Sequence, residues 1–216
     1  MKERFNSRLN YSRMKRTVVS VVALATLLWA GAGQVWSQSA EVWQIDPVHS
    51  NASFAVDHMG ISEVRGEFTK VSGSAKFDGK HLDGAQVEAV IDTTTINTRE
   101  PRRDADLKSE RFLDVAKFPS MTFKSKQFRQ RGNGHYTIVG DLTLHGVTKQ
   151  VVLDGRGPSQ PIKDMQGNWR LGTHATTTID RRDYGLVWNK TLESGGVLVG
   201  NEVRITLDAE LVKAGH

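Results

Sequence analysis

The chain has 216 residues, with 29 Lys and Arg against 24 Asp and Glu. Six bases and one acid precede Glu41, after which 23 bases face 23 acids, so the body of the chain has no net field to attract nucleic acid or another acidic polymer. There is no cysteine, which excludes a disulfide framework, a thiolate metal site and c-type haem attachment.

Residues 1–39 read as a secretory signal peptide. A basic head precedes the uncharged apolar run Thr17–Ala32, and small residues follow it. The run has sixteen residues, short of the roughly 20 that cross a bilayer comfortably. Cleavage is therefore expected, after Ala30-Gly31-Ala32 or Ser37-Gln38-Ser39, with the mature domain spanning 40–216 and no stable membrane span left in it. Met14, directly before Lys15-Arg16, is an alternative start.

Period-2 alternation dominates the rest. Its clearest case is Val203–Leu211, apolar on one face and polar on the other for nine residues, the pattern of a half-buried antiparallel strand. Similar segments cover 48–58, 64–77, 85–96, 120–128, 135–144, 148–155 and 168–180. Turn-forming strings such as Asp78-Gly79, Asp83-Gly84, Arg131-Gly132-Asn133-Gly134 and His145-Gly146 separate several of them. One segment departs from the pattern. Pro101–Leu113 lacks alternation, opens on a proline suited to a first helical turn and pairs Asp104 with Lys108 at i,i+4, so a short helix is expected there. Arg181–Gly200, with Gly195-Gly196, reads as a long loop.

Eight antiparallel strands and one helix imply an all-β domain, an up-and-down barrel or a sandwich. If neighbouring strands simply reverse, one end collects His58-Met59-Gly60, the helical region 99–118, His145-Gly146-Val147 and the 181–200 loop. The other end receives ordinary turns and the polar 157–167 loop. The chemically varied end is where a mouth is expected.

Signatures of catalysis and metal binding are absent. No histidines stand at ligand spacing, there is no His-Glu-x-x-His and no Gly-x-Ser-x-Gly elbow, and Gly195-Gly196 precedes no Lys-Ser/Thr pair. His49, His58 and His145 read first as neutral rings hydrogen-bonded in or beside turns. No catalytic residue, metal or cofactor is expected.

Several strings, in order, resemble one family. They are Trp43-Gln44-Ile45-Asp46-Pro47-Val48-His49-Ser50, Phe54-Ala55-Val56-Asp57-His58-Met59-Gly60, Arg103-Asp104-Ala105-Asp106-Leu107-Lys108-Ser109 and Phe112-Leu113-Asp114. Gly140-Asp141-Leu142-Thr143-Leu144-His145-Gly146-Val147-Thr148-Lys149, Arg181-Arg182-Asp183-Tyr184-Gly185 and Val199-Gly200-Asn201-Glu202-Val203 complete the set. Across 42–213 the chain is similar to the YceI-like periplasmic proteins. The resemblance implies an eight-stranded lipocalin-like barrel whose apolar cavity sequesters a polyisoprenoid or similar amphiphile, and it also points to a homodimer. Asn201 departs from the aspartate expected at its position.

Alternation supplies the inward faces, and the resemblance supplies the cavity. Together they make Phe54, Val56, Phe68, Ile91, Phe123, Leu142, Leu144, Ile205 and Leu207 the candidate lining. His58, Arg103, Arg111, His145 and Arg182 are candidates for a polar head group at the rim, where the competing reading is a solvated surface with local ion pairs. A periplasmic carrier or storage protein is the leading expectation. The alternatives are an enzyme acting on such a lipid through His58 or His145 and a fully packed barrel serving as an interaction module.

Overall fold

Each alternating segment has one apolar face, and closing the sheet on itself buries eight such faces without leaving a free edge. A computed structural model of the chain describes residues 40–79, 81–193 and 195–215. The expected signal peptide and His216 lie outside the described residues. The strands are β1 (Glu41–Ile45), β2 (Asn51–His58), β3 (Ser62–Phe68), β4 (Val71–Phe77), β5 (Gln86–Asp92), β6 (Ile96–Asn97), β7 (Ser120–Gly132), β8 (His135–Leu144), β9 (Val147–Arg156), β10 (Ile162–Lys163), β11 (Trp169–Asp180) and β12 (Val199–Lys213). They form a closed antiparallel barrel of eight staves, with β12 pairing to β11 on one side and to β1 and β2 on the other.

Three staves are interrupted. β1 and β2 follow one another along β12, and β4 and β3 pair with them in turn. β5 and β6 flank a 3₁₀ turn, Thr93–Thr95, whose Thr94 amide donates to the Asp92 carboxylate. The expected 48–58 strand thus has an unexpected extension in β1, beyond a break at Asp46–Ser50. Pro47 cannot donate to a ladder, and one side-chain bond and one backbone bond beside it hold the chain to β12. Ser50 Oγ accepts from Glu210 N at 3.0 Å, while Asp46 N donates to Glu210 O at 2.8 Å.

Helix α1 covers Pro101–Lys108, shorter than the expected 101–113, with Glu100 capping its N-terminus. The chain then folds back, with Leu113 N donating to Leu107 O and Val115 N to Lys108 O. This reversal delivers Phe112 and Leu113 to the barrel interior, where both are buried.

On the outer wall, Arg170 ties the polar β9–β11 connection to the barrel. Its Nε donates to Asp164 Oδ2 and its Nη1 to Asp46 Oδ2 and Glu210 Oε1, each at 2.6 Å. Asp46, His49 and Glu210 bring ligand atoms within 4.8 Å of one another, yet the guanidinium already supplies the cation between the two carboxylates. His49 and then Arg170 hold the Asp46 carboxyl far below its ordinary 3.8, Arg170 holds Asp164 at about 2, and Asp46 raises His49. The lowered carboxylates contribute stability that is present above about pH 3.8 and lost as pH falls toward 2. The raised histidine contributes stability that is complete below 6.5 and lost as pH rises through its folded-state value. Calorimetric melting is therefore expected to show a Tm plateau between about pH 4 and 6.5 that declines on both sides. Arg170→Met should flatten the acid limb, chiefly through Asp164, and His49→Ala should flatten the alkaline limb and, through Asp46, part of the acid one. A wild-type Tm that is constant from pH 7 to 3 would contradict this assignment.

Candidate ligand cavity

In a filled barrel the inward side chains meet at the axis and are buried. Here many inward apolar residues, among them Phe54, Val56, Val87, Ile91, Phe123, Phe128, Val203, Ile205 and Leu207, remain partly accessible. They surround a cavity of about 290 Å³ whose walls are almost wholly apolar. Along β12 the lining extends from Val199 to Leu211. At about 3.3 Å per residue and a tilt near 40° this is about 30 Å along the axis, comparable with the hydrocarbon core of a bilayer.

Glycines keep the bore open. Gly66 faces Phe54 across the β2–β3 pair, and Gly155 faces Tyr136 across the β8–β9 pair. A Cβ on Gly66 would stand 2.5 Å from Phe54 Cζ, and one on Gly155 would overlap the Tyr136 ring. Gly140 makes the same room for Phe123. With no side chain beneath it, each ring lies along the wall of its neighbouring strand instead of projecting to the axis.

Both ends are roofed by side chains. At one end Phe77 and Leu82 line the cavity and belong to one buried cluster with Trp43 and Leu171. At the other, where the connections were expected to frame a mouth, Leu107, Phe112, Leu113 and Leu186 cover the cavity. β9 and β11 pair only over Asp154–Arg156 and His174–Thr176. Toward the second roof the two strands separate, and the 3₁₀ turn Arg181–Tyr184 packs there, with His145 Nδ1 3.2 Å from Tyr184 O.

All nine residues expected to line the cavity, Phe54, Val56, Phe68, Ile91, Phe123, Leu142, Leu144, Ile205 and Leu207, face it. The five rim candidates belong to the second end, and none of them lines the cavity. Arg103 donates to the Thr98 hydroxyl and carbonyl at 2.8 and 2.9 Å. Arg111 pairs with Asp106 and lies over the Trp188 ring, 5.4 Å from its centroid. Arg182 pairs with Asp180 on the surface, His145 meets the Phe118 ring edge-on at 4.6 Å, and His58 closes the β2–β3 hairpin.

The residue that does reach the cavity from this end is Arg181, 4% exposed, which alternation alone could not separate from its neighbour Arg182. Burial lowers its pKa from the ordinary value, with the Asp180 charge opposing, and a guanidinium remains a cation regardless. Two phenols are also buried. Desolvation raises the Tyr136 pKa, against the opposing effect of its bond to Thr173, and raises Tyr184 to about 12. At neutral pH both therefore stay protonated.

A model of the YceI-like domain matches residues 43–211. A UPF0312 protein of Yersinia enterocolitica is 34% identical over 201 residues, covering 92% of this chain and 98% of its own, and one from Vibrio parahaemolyticus is 33% identical over 175 residues, 80% and 89%. Among solved structures, the Campylobacter jejuni YceI protein superimposes with a TM-score of 0.62 at 25% identity, covering 74% of this chain and 90% of its own. Burkholderia cenocepacia BcnA gives 0.67 at 19% identity (77% and 98%). A domain of Saccharophagus degradans described as polyisoprenoid-binding gives 0.58 at 15% identity (79% and 98%), a likeness of fold. With its barrel closed over an apolar lumen and the domain matched from Trp43 to Leu211, this chain is a member of the YceI-like family.

Proposed function

We propose that the protein is a periplasmic carrier or storage protein that sequesters a polyisoprenoid or similar long-chain amphiphile. The observation that carries this reading is the hollow lumen, with its rows of inward apolar side chains that do not meet across the axis. Burial of a chain there supplies about 25 cal/mol per Å² of apolar surface, enough for retention without covalent chemistry. The polyisoprenoid-binding description of a domain with the same fold supports the ligand class. Neither His58 nor His145 faces the lumen, which favours binding over turnover.

Organic extraction of the mature protein purified from the periplasm, followed by lipid mass spectrometry, is expected to release a long-chain lipid in an amount approaching one per chain. An intact native mass equal to that of the bare polypeptide in every preparation would overturn the carrier reading.

A further inference from the structure

Arg181 carries a full positive charge into the wall of an otherwise apolar cavity. Among the described residues, no carboxylate forms an ion pair with it, and its neighbour Asp180 is engaged by Arg182. Its acceptors are neutral. Nε donates to Gly200 O at 2.8 Å, and Nη1 donates to Leu186 O and, at 3.0 Å, to Trp188 O. Nη2 is served poorly, with Val199 O and Asn201 Oδ1 both at 3.4 Å, beyond the usual N–H···O range of about 2.7–3.2 Å. Three strong bonds thus fix the guanidinium to Leu186, Trp188 and Gly200, and the Nη2 corner keeps donor capacity and a charge that no direct ion pair satisfies, with Asp180 acting on it only through space. A buried charge without a counter-ion is costly, and in a low-dielectric site an oxyanion would offset that cost.

We propose that Arg181 marks the head-group end of the cavity and that the preferred occupant is an anionic amphiphile, an apolar chain ending in a carboxylate or phosphate whose oxygen meets the guanidinium at Nη2. This rests on the carrier reading and narrows its ligand class. It also shifts the recognition charge inward from the surface arginines Arg103, Arg111 and Arg182, which are held by protein partners. Asn201 bears directly on the selectivity, because a neutral amide stands where a carboxylate would cancel the charge.

The test uses ligand pairs that share a chain and differ in the head: geranylgeranyl phosphate against geranylgeraniol, and palmitate against hexadecanol, each titrated into delipidated protein. Wild type is expected to bind at least one anion about tenfold more tightly than its alcohol, as one charge-assisted hydrogen bond predicts, and the two pairs distinguish phosphate from carboxylate. Asn201→Asp places a counter-charge beside Arg181 while leaving its clamp intact. It should bring the preference near unity with alcohol affinity unchanged, whereas Arg181→Lys should retain a preference for the anion. Equal affinities in both wild-type pairs, or a preference that survives Asn201→Asp, would overturn the proposal and leave the carrier reading standing. Failure of every ligand to bind would remove both.

Discussion

Leu207→Trp is expected to clear most of the lipid from the cavity while leaving the barrel folded. Leu207 points inward from β12 and is only partly covered by its neighbours, so a larger side chain grows into empty space. Occupying the room of about three methylenes removes roughly 2.4 kcal/mol of burial at about 0.8 kcal/mol per CH₂, or about fiftyfold in affinity. Filling a void commonly raises stability, so the Tm should hold or rise. Lipid mass spectrometry and a melting curve on the same preparation test the two halves separately. Undiminished lipid in a folded Leu207→Trp protein would show that the chain does not occupy this part of the lumen.

The opposite geometry applies at Gly66. A methyl there meets Phe54 Cζ at 2.5 Å and Thr98 Cγ2 at 2.8 Å, so the ring must leave the wall and swing toward the axis. Overpacking of this kind costs about 1–3 kcal/mol, and the displaced ring also narrows the bore. Gly66→Ala should lower both Tm and lipid content. Phe54→Leu, which removes the obstructing ring atoms, should recover much of the stability when combined with it, giving a coupling of about 1 kcal/mol or more in a double-mutant cycle. Additive effects in that cycle would refute the role assigned to this glycine.

The strands and their inward faces were legible because alternation encodes sidedness directly. Phe54, Leu142 and Ile205 could be assigned inward from their own segments, and the connectivity then placed α1, His145-Gly146 and the 181–200 loop at one end. The breaks were less legible. β1 is only five residues long and is followed by Asp46-Pro47, and its pairing with β12 depends on Ser50 and Asp46 meeting Glu210, more than 150 residues away in the chain. The helix ends at Lys108, earlier than its composition implies. Arg111–Leu113 has a composition compatible with helix, but burying Phe112 and Leu113 under the barrel makes the chain turn back after Lys108.

By itself, the sequence determined a balanced, cysteine-free all-β domain in which each strand has a known inner face. Only the tertiary structure decided that those faces enclose a void. Periodicity reports which side of a strand a residue is on, but not whether opposing rows touch across the axis. That distance is set by strand number and tilt and by glycines lying opposite aromatic rings on neighbouring strands. It also decided which charge enters the lumen. Arg181 and Arg182 are adjacent and chemically identical, yet the 3₁₀ turn after β11 directs one into the cavity and leaves the other paired with Asp180 in water.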